Sequence, residues 1–193
     1  MTNVYTLKIT YRDCPDKIWR EIKISSNYQL VKLCIAVLVS FNTDSCHLFN
    51  ISCKGITYEL PVDIDFTKTC KNILPVKLKD LELKIGDGLN MIYDFGCDHM
   101  FDMVVTGIES MGRGQGTAYP KVIDGEGRGI LEDIPGDELA EIIVETDKTG
   151  ESGIYWEGYN GPIMWDYKDY DIKTDNCLLK GQIYLIADNF GLE

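Results

Sequence analysis

The sequence predicts an α+β fold. The expected architecture is a mostly antiparallel or mixed sheet with one main helix packed on it. It begins in the order β-β-α-β-β and ends in a loop-rich, acidic C-terminal portion. Three observations predict it. Two stretches near the front alternate apolar and polar residues with period two, as half-buried strands do. The segment Leu30 to Phe41 repeats apolar residues with the period of a helix. The negative charge lies in the second half of the chain, among glycines and aromatics.

Val4 to Tyr11 sets Tyr5, Leu7 and Ile9 on one face of a strand. Ile18 to Ile24 does the same with Ile18, Arg20, Ile22 and Ile24. Between them, Arg12 to Lys17 contains Asp13, Pro15 and Asp16 and reads as a turn, so the pair forms a hairpin. In the next segment Leu30, Leu33, Cys34, Val37, Leu38 and Phe41 fall on one helical stripe, with capping residues available from Ser25 to Gln29. Such a stripe needs a sheet or another helix to cover it. His47 to Cys53 and Ile56 to Leu60 read as a second hairpin turning at Lys54 and Gly55, and Val76 to Leu83 as a short helix or strand. Leu89 to Phe95 and Met100 to Ile108 read as two strands joined by a corner, Gly96 to His99. Asp137 to Val144 reads as a helix, and Gln182 to Ala187 as a last strand. The chain reads as one domain over residues 1–193, with its core across 4–179 and 180–193 as a C-terminal strand or extension.

The formal net charge of −12 disfavours a general nucleic-acid partner, because that affinity comes mainly from Lys and Arg neutralising phosphates. Residues 1–93 carry 12 basic and 10 acidic side chains, whereas 94–193 carry 7 basic and 21 acidic ones. No run of about 18 apolar residues is present, so no membrane span is expected. The N-terminal residues alternate like a strand and lack the form of a signal peptide, which points to the cytoplasm. Seven cysteines in odd number, with no C-x-x-C pair, point to free thiols in a reducing compartment.

Several segments taken in order carry a family resemblance. They are Tyr5 to Thr10 with Pro15, Trp19 and Arg20; Leu30 to Leu33 with His47 and Phe49; and Tyr93 to Gly96. Pro120, Asp124 to Gly127, Glu132, Asp133 and Gly136 follow, and then Trp165, Asp171, Asn176 and Leu178. Over Val4 to Leu179 this chain resembles the plasmid pRiA4b ORF-3-like family. The resemblance implies an α+β domain and no established activity. Its plasmid and transposon association suggests a DNA-processing factor, which the charge balance opposes. In that family the Tyr-Asp-Phe-Gly run continues D-x-W-x-H; here Cys97, His99 and Phe101 stand at the Asp, Trp and His places. The departure implies loss of any chemistry at that corner, unless His99 supplies the imidazole from a neighbouring position.

Only two histidines exist, His47 and His99, so a site built mainly of imidazoles has little material. His47 is expected at a strand start. His99 lies near Asp94, Cys97 and Asp98, a set able to hold a soft divalent ion or move protons. The structural alternative has Gly96 supplying a backbone angle and Asp98 a side-chain turn bond. Asp124, Glu126, Glu132 and Asp133 lie within ten residues on a glycine-rich backbone and could gather oxygen ligands around a divalent cation; otherwise they form a solvated loop. The runs Gly112 to Gly116 and Gly125 to Gly129 lack the Gly-Lys-Ser/Thr ending of a phosphate loop. Trp156, Tyr159 and Trp165 stand in an aromatic segment suited to a binding surface or to packing on the sheet. Trp19, Arg20 and Tyr93 complete the candidate binding residues. Arg20, on the face of three isoleucines, requires a partner, for which Asp94 is the expected one.

The functional expectation is a non-enzymatic interaction module with a protein or small-molecule partner. The alternative is a metal-binding protein or metal-dependent hydrolase. No cofactor is required by the sequence, and a divalent metal fits its carboxylates.

Overall fold

The computed structural model describes residues 2–62, 66–112, 114, 119–158 and 161–190, with backbone alone at 156–158, 162, 163 and 189. In chain order the elements are β1 (Asn3–Tyr11), β2 (Trp19–Ser25), α1 (Leu30–Ser40), β3 (Phe49–Cys53), β4 (Ile56–Glu59) and β5 (Cys70–Asn72). A 3-10 turn at Leu78–Leu81 precedes β6 (Gly88–Tyr93), β7 (His99–Ser110), β8 (Lys121–Glu126) and α2 (Gly136–Thr149). A small hairpin, β9 (Tyr155–Gly158) and β10 (Gly161–Met164), leads to α3 (Ile172–Asn189). Eight of the described strands form one sheet in the order β5-β4-β3-β6-β7-β1-β2-β8. Every pairing in it is antiparallel except β4 with β5.

The register follows from the alternation of the strands. Tyr5 pairs with Ile24, Leu7 with Ile22 and Ile9 with Arg20. All six point to one face and are buried there with Leu89, Met91, Tyr93, Phe101, Met103 and Val105. The other face carries Lys8, Trp19, Glu21, Lys23 and Asp102. It is laced by cross-strand pairs such as Arg12–Asp102 and Lys23–Glu109, each at 2.6 Å. One packed face and one wet face is the usual solution for an antiparallel sheet. Each fully buried Leu or Ile side chain of the packed face contributes about 1.5–3 kcal/mol.

Helix α1 lies within this core. The sequence predicts one apolar stripe on it, but Val31, Ile35 and Ala36, off that stripe, are buried as well. The reason is α3, which packs against α1. Helix α3 replaces the strand expected at Gln182 to Ala187. Its Leu179, Ile183 and Ala187 recur every fourth residue and are buried, and Asp171 caps it by accepting the Lys173 and Thr174 N–H groups. The single main helix of the expected fold is therefore joined by two others. None of the described helices is long and apolar enough to cross a membrane. All seven cysteines are free thiols.

Arg20 ties these layers together. Its side chain is 0% exposed on the inner face of β2. Its Nε donates to the Ser40 carbonyl at the end of α1 (2.9 Å), and Nη1 donates to the Trp19 and Glu126 carbonyls at 2.9 and 2.7 Å. Nη2 reaches the Arg128 carbonyl at 3.3 Å. The guanidinium stacks 3.8 Å from the Tyr170 ring centre and stands 3.3 Å from Asp175 of α3. The expected partner Asp94 is replaced by Asp175, since α3 rather than the β6–β7 corner covers this end of β2. Burial lowers the Arg20 pKa and raises that of Asp175, so hydrogen bonds to carbonyls carry much of the compensation.

The second tie is Asp147 on α2. It accepts from Lys17 and Lys168, each at 2.8 Å, and from the Tyr167 hydroxyl at 2.6 Å. Hydrogen bonds from Lys168, Lys17 and Tyr167 hold its carboxyl well below the usual range.

Arg20→Ala leaves four carbonyls without this donor and the Asp175 carboxylate without its charge partner, and is expected to cost about 3–5 kcal/mol in chemical denaturation. Arg20→Lys, which lacks the fork, restores only part of it; a variant of wild-type stability would contradict the assignment. Because the folded-state pKa of Asp147 is depressed, its contribution is full above the ordinary carboxyl pKa and is lost as pH falls through the lower folded value. The melting-temperature gap between wild type and Asp147→Asn is therefore expected at neutral pH and to close in strong acid. A gap independent of pH would overturn this.

Candidate metal centre

Three pieces of chain meet at one end of the sheet. The β6–β7 hairpin brings Tyr93 and His99 opposite each other on the inner face. Its corner turns on Asp94 and Asp98, both in the left-handed region at φ 55° and 52°. The Asp94 carboxylate accepts the Gly96 N–H at 3.0 Å. Asp94 thus takes the turn-bonding role expected of Asp98, and the two aspartates supply the positive φ expected of Gly96. The second piece is the loop after α1. It carries Cys46 and His47 into β3 and is fixed to the corner by the Asp94 N–H donating to the Leu48 carbonyl at 3.0 Å.

The third piece leaves β8 and crosses the end of α1. Gly127 and Gly129 have φ values of 77° and 132°, and a Cβ on either would overlap a backbone carbonyl, of Lys17 and Phe41 respectively. These glycines serve close backbone passage, not phosphate binding. The crossing is fixed by the Ile130 N–H donating to the Phe41 carbonyl at 3.0 Å. It delivers Glu132, whose Oε1 accepts from the Asp44 N–H at 2.7 Å and the Tyr93 hydroxyl at 3.0 Å.

The side chains so delivered fall into three overlapping groups of possible metal ligands: Cys46, His47 and Glu132; Asp94, Cys97 and His99; and His47, Asp94 and Asp133. Within each, the ligand atoms lie within 4.8 Å of one another. His47 stands between carboxylates, its Nδ1 3.8 Å from Asp94 and its Nε2 4.0 Å from Glu132. His99 is 0% exposed. Its Nδ1 pairs with the Tyr11 hydroxyl at 2.9 Å, while its Nε2, like Glu132 Oε2, is buried with no hydrogen-bond partner among the described residues. Tyr93 stacks on His99, with ring centres 6.2 Å apart, and meets His47 edge-on.

The electrostatics are those of a half-dry anionic site. Burial lowers the His99 pKa below that of free imidazole, so the ring is neutral at pH 7 and able to act as a ligand. Burial, then the Asp94 carboxylate, raise the Cys97 thiol. Burial would raise Asp94, but the Gly96 amide, His47, Cys97 and His99 together hold it below the usual range. Burial and Glu132 push Tyr93 far up, keeping it a phenol that donates. Beside Glu132 lies a cleft of about 360 Å³, whose walls include Asn42, Asp44, Arg128, Ile130 and Trp165.

Of the residues singled out in the sequence, the structure brings Asp94, His99, Glu132, Asp133 and Tyr93 together. Asp124 and Glu126 do not join them. They lie in β8, paired with Glu21 and Trp19 on the wet face of the sheet, so the four carboxylates do not form one loop site. Trp19 is half-buried there, with Lys8 over its ring at 4.8 Å. Arg20 is structural, and Trp165 is buried in the core. Tyr159 lies outside the described residues, as do 115–118 of the first glycine run, and Trp156 is described only by its place in β9. Sequence reasoning left Cys46, His47 and Tyr11 out of the site. The available signal was that both histidines of the chain, His47 and His99, follow short polar turns into strands.

Comparison with known proteins adds the family. The family model described as plasmid pRiA4b ORF-3-like protein matches residues 3–174. The chain belongs to the plasmid pRiA4b ORF-3-like family. A solved structure with the same fold is the protein of unknown function MM3350 from Methanosarcina mazei Go1. It is 21% identical, with a TM-score of 0.72, and the likeness covers 91% of this chain and 97% of that one. No curated protein matches.

Proposed function

We propose that this member of the pRiA4b ORF-3-like family is a metal-binding protein. Its His, Cys and carboxylate side chains hold a borderline-soft divalent ion such as zinc beside the cleft at Glu132. The observation that carries the reading is His99, a fully buried imidazole whose Nε2 has no hydrogen-bond partner among the described residues and whose neighbours are Asp94 and Cys97. An unsatisfied buried nitrogen costs free energy that a bound metal returns. The Tyr11 hydroxyl at Nδ1 is the kind of outer contact that fixes the tautomer of a ligating histidine. The ring would ligate through Nε2 in the tautomer whose Nδ1–H donates to the Tyr11 hydroxyl.

Mixed thiolate, imidazole and carboxylate ligands favour zinc or cobalt over magnesium and calcium, which take oxygen alone. Three protein ligands leave a coordination position open, the pattern of sites that act on a bound molecule. A metal held there would supply Lewis-acid chemistry. The chain's own contributions are distinct. Tyr93 and the Asp44 amide hold Glu132 in place, Glu132 borders the cleft, and His47 stands between Asp94 and Glu132 at 3.8 and 4.0 Å. His99 supplies the imidazole that Phe101 lacks at the family's histidine place. The activity that suits this arrangement is hydrolysis of a small substrate seated in the cleft.

A second reading, a non-enzymatic interaction module, draws support from α3, where Leu178, Tyr184 and Leu185 are exposed.

A thermal-shift series separates the two. Zinc and cobalt are expected to raise the melting temperature, by an amount corresponding to about 2.7 kcal/mol at a hundredfold excess over Kd, and magnesium to do little. His47→Ala with Asp94→Asn is expected to abolish the shift, and Asp124→Ala with Glu126→Ala to preserve it. No shift with any of the ions would overturn the metal reading and leave the interaction module.

A further inference from the structure

From the arrangement of these side chains we infer that the centre holds two metal ions. The inference rests on the metal reading above and goes beyond it. The seven candidate side chains divide into groups rather than forming one shell. Each group is compact enough to close on a single ion with small side-chain shifts, since donors about 2.0–2.3 Å from a metal lie at most about 4.6 Å apart and those of each group lie within 4.8 Å of one another. The group of His47, Asp94 and Asp133 shares His47 with one of the other groups and Asp94 with the other. Cys46, His47 and Glu132 share nothing with Asp94, Cys97 and His99. Those two sets can therefore be filled together, one ion in each, without any side chain serving twice.

Charge and hydrogen bonding agree. Each set offers one thiol, one imidazole and one carboxylate. On binding, each thiol gives its proton to solvent, so each set carries two negative charges and neutralises one divalent cation. One ion alone leaves the other set's carboxylate in the same half-buried pocket. Of the four buried side-chain atoms without a hydrogen-bond partner among the described residues, Tyr170 Oη and Asp175 Oδ2 lie beside Arg20, and the two at this end of the sheet are divided in the same way, Glu132 Oε2 in the first set and His99 Nε2 in the second. The link between the sets is His47–Asp94, with Nδ1 3.8 Å from the carboxylate. With Nε2 on the first ion, Nδ1–H faces Asp94, a ligand of the second, and the two positions are coupled through a carboxylate–histidine contact. Asp133 stands beside that contact as an additional carboxylate.

The test is stoichiometry on the full chain. Protein stripped with a chelator is reconstituted with cobalt(II), dialysed, and analysed for metal per chain. Thiolate-to-cobalt charge-transfer absorption and circular dichroism are recorded on the same samples. Two ions per chain are expected. Cys46→Ser with Glu132→Gln is expected to reduce this to one, and Cys97→Ser with Asp94→Asn likewise, each losing about half of the charge-transfer intensity. If a double variant fails to fold by circular dichroism, the single variants Cys46→Ser and Cys97→Ser must each still lose about half of the absorption. One ion per chain in the wild type, or one cysteine variant that removes the whole absorption while the other leaves it intact, would overturn the two-ion arrangement and leave the metal reading standing. No bound cobalt would overturn both.

Discussion

The guanidinium of Arg20 is the constraint on which the rest of the molecule turns. It is a full charge on the packed face of a sheet, and it persists there because four carbonyls, one carboxylate and two aromatic rings converge on it. Those acceptors come from the end of α1, from β2 itself, from the exit of β8 and from α3. A buried cation so widely shared adds little net stability compared with a well-packed apolar residue, yet it penalises any arrangement in which one of those segments is misplaced. The segment leaving β8 gains most. Fixed at Glu126 and Arg128, it passes Gly129 over the Phe41 carbonyl and sets Glu132 beside Tyr93.

The candidate centre is thus a product of topology. Its donors come from residues 46–47, 94–99 and 132–133, distant in sequence and joined because β3, β6 and β7 are neighbours in the sheet. Antiparallel pairing places Tyr93 opposite His99, and the β3–β6 register brings the residues just before Phe49 alongside the corner after Tyr93. The corner carries two aspartates in the left-handed region, which Asp tolerates better than most residues with a Cβ. The packed side of the centre is dry and aromatic, through Tyr11, Tyr93 and Phe101, while Cys46 and Asp133 face solvent. That gradient suits groups that must be desolvated enough to ligate and open enough to be reached.

Much of the frame was legible because it rests on local periodicity. The strand alternation identified the packed face, including Arg20 as its one charged member, and the helical spacing from Leu30 identified α1. The misreadings have definite causes. Exposed Leu178, Tyr184 and Leu185 mask the fourfold recurrence of Leu179, Ile183 and Ala187, so α3 looked like a strand at its end. Asp124 and Gly125 are poor strand formers, but β2 needs a neighbour, and tertiary pairing overrides their preference. Of the site, Asp94, Cys97 and His99 were visible as a set because one hairpin carries them. Cys46 and His47 lie in an irregular loop with no period, and only the sheet order brings them in. The same order separates Asp124 and Glu126 from Glu132 and Asp133, which adjacency in sequence had joined.

The proposed metal centre consists of the His, Cys and carboxylate side chains at this end of the sheet. Anomalous diffraction at the zinc absorption edge, from crystals grown with zinc, addresses it most directly. Anomalous density is expected between Asp94, Cys97 and His99 and between Cys46, His47 and Glu132. Absence of density at both positions, or zinc bound only on the wet face near Asp124 and Glu126, would contradict it.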